Sequence, residues 1–303
     1  MLSRTLLALA WALLTPVGLL AVAPLLDGLA RRIRARLESR TGPPLLQAYV
    51  DLAKLADKRE VSAGTGRLAR WMPFLALASA VAAGALLPVA GRAPLGFAGD
   101  AIALLYLLGL SSVGLVLAGA ATGSPYAFLG GSREMMLLLF VEPVVACALF
   151  VAALKSGSFR LDTIVAWQAS HGPGVSGVLA AVGVLLALLA YIGRLPFDLA
   201  EAEQELMGGS MIEFGGARLA LLRWTLFVRW LVVAWLVAEV FVALPVPLWL
   251  GVPLAAVKVL ALFALASALS ALMARLRVDT VRAYFVQVGL LMAFALVFAL
   301  VGA

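Results

Sequence analysis

Cysteine and histidine are almost absent from this sequence, which has one of each among its 303 residues, Cys147 and His171. A disulfide within the chain needs two cysteines, and an iron–sulfur cluster needs about four thiolates, so neither can form here. A zinc site built from cysteine and histidine is excluded on the same ground. We therefore expect this chain to bind no metal and no redox cofactor, so that any electron transfer takes place on partner proteins.

Charged side chains are scarce as well. They make up 13% of the residues, whereas soluble domains carry about 25%. Hydrophobic residues make up 64%, and the mean hydropathy is +1.07. The apolar residues stand in long runs rather than in short alternating segments, which favours spanning helices over the strands of a barrel. These features predict an all-α, polytopic integral membrane protein that lies in the lipid bilayer.

The apolar runs divide the chain into eight spans of roughly 20 residues, the length that crosses a bilayer. No change in composition marks a second domain, so we expect one transmembrane domain over residues 1–303. The "AVA" at 21–23 resembles a signal-peptide cleavage site, but Pro24 follows it within a long apolar run, which predicts an uncleaved first helix. The segment "ASHGPG" around His171 is predicted as a loop. The spans are predicted at residues 5–26, 71–89, 100–120, 134–154, 174–193, 219–244, 248–272 and 283–301.

The lysines and arginines are distributed unevenly between the connections. Sixteen of the 23 fall in the four odd-numbered connections, and four fall on the opposite side. By the positive-inside rule, both termini of the chain then lie outside the cell (inner) membrane, and the odd-numbered connections are cytoplasmic. The same asymmetry accounts for the net charge of +7, so we expect no nucleic-acid partner.

The first cytoplasmic connection contains an amphipathic segment at residues 44–60, "PLLQAYVDLAKLADKRE". Polar residues recur at spacings of four, three and four from Gln47 to Lys58, whereas Tyr49 and Leu52 lie on the opposite face. This pattern predicts a helix that lies in the membrane interface. The helix serves either as a surface anchor or as a docking face beside the next feature.

An acidic loop occupies the fifth connection, at residues 194–218. Between Leu195 and Ala217 it has five acids and no basic residue. If "DLAEAEQEL" is helical, Glu201 and Glu205 share one face, where like charges destabilise an isolated helix. Crowding of this kind raises the pKa of some of the carboxyls. Asp198 is also placed to cap such a helix, and a plainly solvated loop is the simpler alternative. The five acids are Asp198, Glu201, Glu203, Glu205 and Glu213.

Further ionisable residues lie inside the predicted spans, where a charge at the bilayer centre costs about 2.5–3.5 kcal/mol. Glu142 and Lys258 are deep in their spans, so we expect each of them to pair within the bundle or to line an ion path. Arg223 and Arg229 stand in the sixth span, with Arg223 near its cytoplasmic end. Glu239 is near the outer end, where we expect its side chain to reach toward the membrane surface.

Three stretches in matching order resemble a known family of membrane subunits. They are "PLLQAYVDLAKLADKRE", "SPYAFLGGSREMMLLLFVEP" and "RLPFDLAEAEQEL" with "EFGGARLAL" after it. The chain resembles the membrane subunit of NADH-quinone oxidoreductase that joins the two arms of respiratory complex I. It resembles more closely the counterpart of that subunit in energy-converting and formate-hydrogenlyase NiFe hydrogenases. Gln204 and the loop at 275–285 depart from the quinone-reducing members and favour the hydrogenase branch.

The resemblance implies a membrane-anchoring subunit without cofactors, which couples redox events in a peripheral arm to proton or sodium translocation in antiporter-like membrane subunits. A NiFe centre and Fe–S clusters are then expected in the partners, namely hydrogenase-like large and small subunits and an Fe–S protein. At the interface with that arm we predict Asp51, Lys54, Arg194, Asp198 and Arg218. The coupling path implied by the resemblance contains Glu142, Glu201, Glu203, Glu205 and Glu213, to which we add Glu239 and Lys258 from their positions in the spans.

Three alternatives stay open on the sequence. The first is the quinone-chamber subunit of an NADH:quinone oxidoreductase. The second is a stand-alone secondary ion transporter with Glu142 and Lys258 in its path, although the two-fold internal repeat typical of such transporters is not visible. The third is a purely structural anchor, in which the acids dock a basic face of the peripheral arm.

Overall fold

The computed structural model of the chain describes residues 2–60, 66–89, 91–93, 95–201, 203–244 and 248–302; the side chains at 2–9, 13, 203, 204, 248 and 249 lie outside that description. Within these ranges the chain forms eleven α-helices and one 3₁₀ turn, without a β-strand. Eight of these helices are long and apolar enough to cross a membrane. The predicted fold class and number of spans are therefore confirmed.

Three short helices lie in the connections between the spans. They are α2 (Gln47–Asp57), α6 (Leu161–His171) and α8 (Glu203–Leu206), and the 3₁₀ turn Gly209–Met211 follows α8. The eight spanning helices are α1 (Leu2–Leu37), α3 (Arg67–Ala85), α4 (Asp100–Ala120), α5 (Pro125–Ser156), α7 (Gly174–Tyr191), α9 (Gly216–Val240), α10 (Leu248–Leu272) and α11 (Val278–Val301).

Two spanning helices extend well beyond their predicted limits. α1 continues to Leu37 instead of ending at residue 26, and α5 begins at Pro125 instead of at 134. The added turns carry arginines whose long side chains reach polar space while the helical backbone stays hydrogen-bonded. Arg31 and Arg133, which we assigned to connections, therefore lie within helices.

The fourth connection contains a helix that we did not predict. Asp100, buried at the start of α4, accepts a hydrogen bond of 2.8 Å from the backbone N–H of Leu161, the first residue of α6. His171 is the last residue of that helix and not part of a loop as predicted, and its ring stacks on Trp167 with 4.7 Å between the centroids. Gly172 follows the helix as its C-cap, with a φ of 76° that suits glycine.

Small residues bring the spanning helices close together. A Cβ atom on Gly114 of α4 would lie 2.9 Å from the Cβ of Ala76 in α3, so only glycine permits this approach. Next to it, Ser111 donates a hydrogen bond of 2.8 Å to the carbonyl of Ala76. α9 is the most buried span, and its first turns lie beside the ends of α1, α7 and α10. We call this end of the bundle, where α9 begins, the cavity end.

The amphipathic segment at 44–60 forms a helix, α2, over Gln47–Asp57. Ala48 and Leu52 are buried, whereas Lys54 is exposed. The predicted polar and apolar faces are therefore found, and α2 packs against α1 and α9 at the cavity end.

Candidate functional site

A cavity of about 1300 Å³ lies at the cavity end of the bundle. We call it the polar cavity, because many charged side chains line it. Seven arginines face four acids, so the wall carries an excess of three positive charges when all of them are ionised. The arginines are Arg31, Arg34, Arg133, Arg194, Arg223, Arg275 and Arg277, and the acids are Asp198, Glu201, Glu205 and Asp279. The acids of the loop thus have basic neighbours, all of them outside the stretch between Leu195 and Ala217.

The acidic loop at 194–218 is compact and mostly not helical. Only Glu203–Leu206 forms α8, so Glu201 and Glu205 do not share a helical face. Asp198 caps no helix there; it pairs with Arg275 at 2.9 Å. Gly209 has a φ of 59° and lies so close to the carbonyl of Ala200 that no Cβ would fit. Both interpretations that assumed a longer helix are therefore wrong.

The connection between α10 and α11 is attached to this loop. Besides the ion pair of Arg275 with Asp198, the backbone N–H of Leu276 donates a hydrogen bond of 3.0 Å to the carbonyl of Pro196. The two segments therefore form one wall of the polar cavity, and a displacement of one would move the other.

Glu201 and Glu205 differ in their surroundings. Desolvation by the surrounding protein raises the pKa of Glu201 to about 7, helped by the negative charge of Asp198 and opposed by Arg194. At Glu205, the hydrogen bond of 2.6 Å from Arg133 lowers the pKa of the carboxyl. Glu201 therefore exchanges a proton near neutral pH, whereas Glu205 stays ionised.

The other two acids of the loop, Glu203 and Glu213, have no described contact with the polar cavity. The side chain of Glu203 lies outside the described residues. Glu213 follows the 3₁₀ turn, partly buried, and is not among the described residues that line the polar cavity.

From the polar cavity, ionisable side chains continue into the bundle. Glu134 of α5 is near enough to Glu201 to affect its pKa, and its carboxylate lies 3.4 Å from the guanidinium of Arg229 in α9. The guanidinium carbon of Arg229 lies 5.5 Å from the centroid of the Tyr191 ring. Glu142 interacts electrostatically with both Arg229 and Tyr191. These residues form what we call the buried chain: Glu201, Glu134, Arg229, Tyr191 and Glu142.

Glu142 lies against the backbone of a neighbouring helix. A Cβ atom on Gly109 of α4 would overlap the Oε1 atom of Glu142, so the carboxyl fills the space that a larger residue would occupy. This glycine therefore fixes how far Glu142 reaches toward α4.

Glu239 and Lys258 form a pair of their own near the opposite end of α9. The Nζ of Lys258 lies 3.0 Å from a carboxylate oxygen of Glu239 and donates to the carbonyls of Ala238 and Val242 at 2.9 and 3.0 Å. All three ammonium protons are thus used. Glu239 is 3% exposed, so the prediction that it reaches toward the membrane surface is wrong. The pairing expected of Lys258 is found, with Glu239 as its partner.

The residues predicted for the interface are divided between three segments: Asp51 and Lys54 lie on α2, Arg194 and Asp198 in the acidic loop, and Arg218 in the first turn of α9. Asp51 accepts a hydrogen bond of 2.8 Å from Gln47 and lies 3.6 Å from Arg31. Arg218 pairs with Glu60 at 3.0 Å, next to the first turn of α9.

Asp27 is a site residue that we missed in the sequence. It is fully buried in α1 and pairs with both Arg31, at 2.6 Å, and Arg194. The signal was present, because Asp27 and Arg31 are four residues apart at the end of an apolar run. Glu134 was missed because it is the first residue of the predicted span 134–154, at the border between connection and span.

Metal ligands are not grouped in the described part of the chain, where no three His, Cys, Asp or Glu side chains could hold an ion together. The side chains along the buried chain and around the polar cavity are mainly carboxyl and guanidinium groups, which carry charge and exchange or hold protons.

Several known proteins are similar to this chain in sequence. Hydrogenase-4 component C of Escherichia coli is 38% identical over 244 residues, which cover 78% of this chain and 75% of that protein. Formate hydrogenlyase subunit 4 of the same organism is 37% identical and covers 77% of each. NADH-quinone oxidoreductase subunit 8 of Thermus thermophilus is 32% identical, covering 76% and 68%.

The fold also has a solved counterpart. A chain in the structure of the membrane-bound sulfane sulfur reductase (MBS), an archaeal respiratory membrane complex, superposes with a TM-score of 0.86 and 26% identity. The match covers 96% of this chain and 99% of the other. The NADH dehydrogenase family model matches residues 9–301. Since that match spans nearly the whole sequence, the chain belongs to the NADH dehydrogenase family.

Proposed function

We propose that this chain is the membrane-anchoring and ion-coupling subunit of a complex I-like NiFe hydrogenase or formate hydrogenlyase. The names of its relatives support this function, because two are parts of hydrogenase-4 and formate hydrogenlyase. Those relatives are components of larger assemblies, which argues against a stand-alone transporter. The chain forms one transmembrane domain in the cell (inner) membrane, with both termini outside and the polar cavity on the cytoplasmic side.

The partners follow from this assignment. Hydrogenase-like large and small subunits and an Fe–S protein dock over the polar cavity and hold the NiFe centre and the Fe–S clusters, while antiporter-like subunits lie beside the chain in the membrane. Asp51, Lys54, Arg194, Asp198 and Arg218 contact the docked arm. The excess of arginines in the cavity wall favours an acidic surface on that arm.

The buried chain is the observation that carries the coupling proposal. Carboxyl, guanidinium and phenol groups inside a membrane bundle are costly, and they commonly mark proton or ion paths. Here they lead from Glu201 at the polar cavity to Glu142 in the middle of α5. The path begins with the loop acids and reaches Glu142 through Glu134 and Arg229.

Glu201 is suited to sense redox events in the docked arm. Its pKa of about 7 means that both protonation states are populated at neutral pH. A unit charge that arrives 10 Å away interacts with the carboxylate by about 1.7 kcal/mol at an effective dielectric constant of 20. That energy corresponds to a pKa shift of roughly one unit, which is enough to protonate or deprotonate Glu201 in most of the molecules.

A quinone-chamber subunit is the second candidate, because the polar cavity exceeds the roughly 300–1,000 Å³ of ordinary ligand sites. Binding sites for small-molecule ligands are mostly apolar, with few polar groups. Seven arginines in one wall suit a quinone ring and its apolar tail poorly, so the hydrogenase assignment is preferred.

Coupling is tested in the purified complex, reconstituted into vesicles. Glu142→Gln, and Glu201→Gln with Glu205→Gln, are expected to keep electron transfer and subunit composition while ion transport falls. The double variant Asp57→Asn with Asp162→Asn serves as the control, since it removes two charges outside the path. If the Glu201/Glu205 variant loses its peripheral subunits instead, the acids dock the arm. Unchanged transport in Glu142→Gln would make Glu142 a structural residue.

The identity of the complex is tested by affinity purification from native membranes with metal analysis. Nickel and iron together with a hydrogenase-like large subunit are expected. Iron and flavin without nickel would assign the chain to a quinone-reducing complex, and a chain that purifies alone would contradict both assignments.

A further inference from the structure

A second cavity, of about 220 Å³, lies between the final turns of α1 and α10. Its walls include Arg34, Glu38 and Arg40 at the end of α1, and Ser267 and Ser270 in the last turns of α10. One water takes up about 30 Å³ of the liquid, so the space holds a phosphate-sized group together with several waters. We call this cavity the α1/α10 cleft.

Positive charge is in excess around the α1/α10 cleft. Four arginines line it, and each has an acidic partner, but the partners are shared. Asp27 pairs with Arg31 and Arg194, and Glu38 pairs with Arg34 and Arg40. Even when Asp51, which lies 3.6 Å from Arg31, is counted, four arginines face three carboxylates. In this count one positive charge is left over, on arginines of which Arg31, Arg34 and Arg194 also line the polar cavity, and a phosphodiester would neutralise it.

A buried donor without an acceptor also borders the cleft. Trp230 is 4% exposed, and its indole N–H has no hydrogen-bond acceptor among the residues that the structure describes. A buried N–H that stays unpaired costs about 1–3 kcal/mol, so an acceptor from outside the chain would be favoured. The guanidinium of Arg194 lies 4.8 Å from the centroid of the Trp230 ring, which brings a cation to the same place.

Apolar side chains flank the cleft on both helices. Leu37 at the end of α1 is 54% exposed, and Leu272 at the end of α10 is 80% exposed. Both residues end helices that are long and apolar enough to cross a membrane, so a lipid bound at this end of the bundle would contact them. A polar pocket at the end of two spanning helices with apolar residues beside it matches a phospholipid, with headgroup and acyl chains in adjacent regions.

We propose that the α1/α10 cleft binds the phosphate of an anionic phospholipid, with Arg34, Arg40 and the Trp230 indole N–H as donors. The acyl chains lie along the exposed apolar faces of α1 and α10. A zwitterionic lipid binds less well, because its choline or ethanolamine cation would enter a pocket that already has surplus positive charge.

The test uses the full chain in neutral detergent and native mass spectrometry. Phosphatidylglycerol and phosphatidylcholine with identical acyl chains are added, and the retained lipid is counted. We expect phosphatidylglycerol to be retained under conditions in which phosphatidylcholine dissociates. Equal retention of the two lipids would overturn the proposal. Displacement of phosphatidylglycerol by millimolar inorganic phosphate would assign the cleft to a free anion and overturn the lipid assignment.

Matched variants separate the cleft from general surface charge. Arg34→Gln with Arg40→Gln is expected to weaken retention roughly thirty-fold, since each basic side chain near an anionic membrane contributes about 1 kcal/mol and tenfold is 1.4 kcal/mol. Arg36→Gln with Arg59→Gln removes the same charge outside the cleft and should keep the lipid. Equal losses in both double variants would contradict the site.

A third variant tests the indole donor without changing charge. Trp230→Phe keeps an aromatic ring against Phe263, 4.1 Å away between centroids, and removes only the N–H group and some volume. We expect about tenfold weaker retention, because a hydrogen bond to a charged group contributes about 1.5 kcal/mol or more. Circular dichroism and gel filtration of every variant confirm folding, and unchanged retention in folded Trp230→Phe would remove the indole from the proposed site.

Discussion

Glu134 and Arg229 form an ion pair of 3.4 Å between α5 and α9, and their side chains are only 18% and 5% exposed. The Nε of Arg229 has no acceptor among the described residues, so the pair leaves part of the guanidinium free to interact with Tyr191 and Glu142. Because Glu134 also acts on Glu201, this pair is the link between the polar cavity and the middle of the bundle. Its removal should affect both stability and coupling.

Glu134→Gln is expected to destabilise the protein by about 3 kcal/mol or more. The substitution leaves the buried guanidinium of Arg229 without its nearest counter-charge, and breaking one side of a buried pair typically costs about 3–5 kcal/mol. Unfolding in detergent, followed by circular dichroism, measures the change. Glu205→Gln is the control, because it breaks an ion pair in which Glu205 is 53% exposed and should have a much smaller effect. Equal effects would mean that the Glu134–Arg229 pair contributes no more than an exposed one.

Gly109→Ala is expected to lower ion transport nearly as much as Glu142→Gln, although it changes no charge. The added methyl group occupies the position of the Glu142 carboxyl and displaces it from α4. Transport by the reconstituted complex measures the effect. Gly289→Ala in α11 is the matched control, because its Cβ would contact nothing within 4 Å, and alanine favours a helix by about 1 kcal/mol over glycine. Full transport in Gly109→Ala would contradict a functional position for Glu142.

The spans could be predicted from the sequence because an uninterrupted apolar run of about 20 residues matches the thickness of a bilayer. α4 was placed at 100–120, where the structure has it. The predicted spans for α1 and α5 are too short, because the apolar runs end where these helices continue with arginines. In both helices, long basic side chains line a polar cavity from within the helix, a position that composition alone does not distinguish from a connection.

The partners of the acidic residues could not be predicted in the same way. The five acids between Leu195 and Ala217 are evident from the sequence. Their partners are not, because Arg275, the partner of Asp198, and Arg133, the partner of Glu205, lie more than 70 residues away in sequence. Helix packing decides which of the many arginines reaches which acid. The hypothesis that Glu239 reaches toward the surface is wrong because of helix packing as well. Lys258 of the neighbouring helix α10 pairs with Glu239 inside the bundle.

Glu201 should make stability depend on pH between about 4.5 and 7. Burial raises the pKa of its carboxyl from 4.5 to about 7 in the folded chain. In this window the folded state binds more protons than the unfolded state, so stability is complete at low pH and falls as the pH rises through 7.

We expect Glu201→Gln to remove roughly 2–3 kcal/mol of this loss, measured as the difference in free energy of unfolding between pH 5 and pH 8. Glu205→Gln should not remove it, because hydrogen bonding to Arg133 lowers the pKa of Glu205. A pH dependence that is identical in wild type and Glu201→Gln would mean that this carboxyl titrates as it does in water.

The Glu239–Lys258 pair allows its structural and transport roles to be separated. Lys258→Met leaves the buried carboxylate of Glu239 unpaired and frees two carbonyls at the end of α9, so a loss of about 3–5 kcal/mol in the free energy of unfolding is expected. Lys258→Met with Glu239→Gln removes both charges and should recover a large part of that stability, because replacing both partners of a buried pair is often nearly neutral. Ion transport by the double variant then decides the role. If both residues belong to the coupling path, transport stays low although stability returns, whereas restored transport would mean that the pair only holds α9 and α10 together.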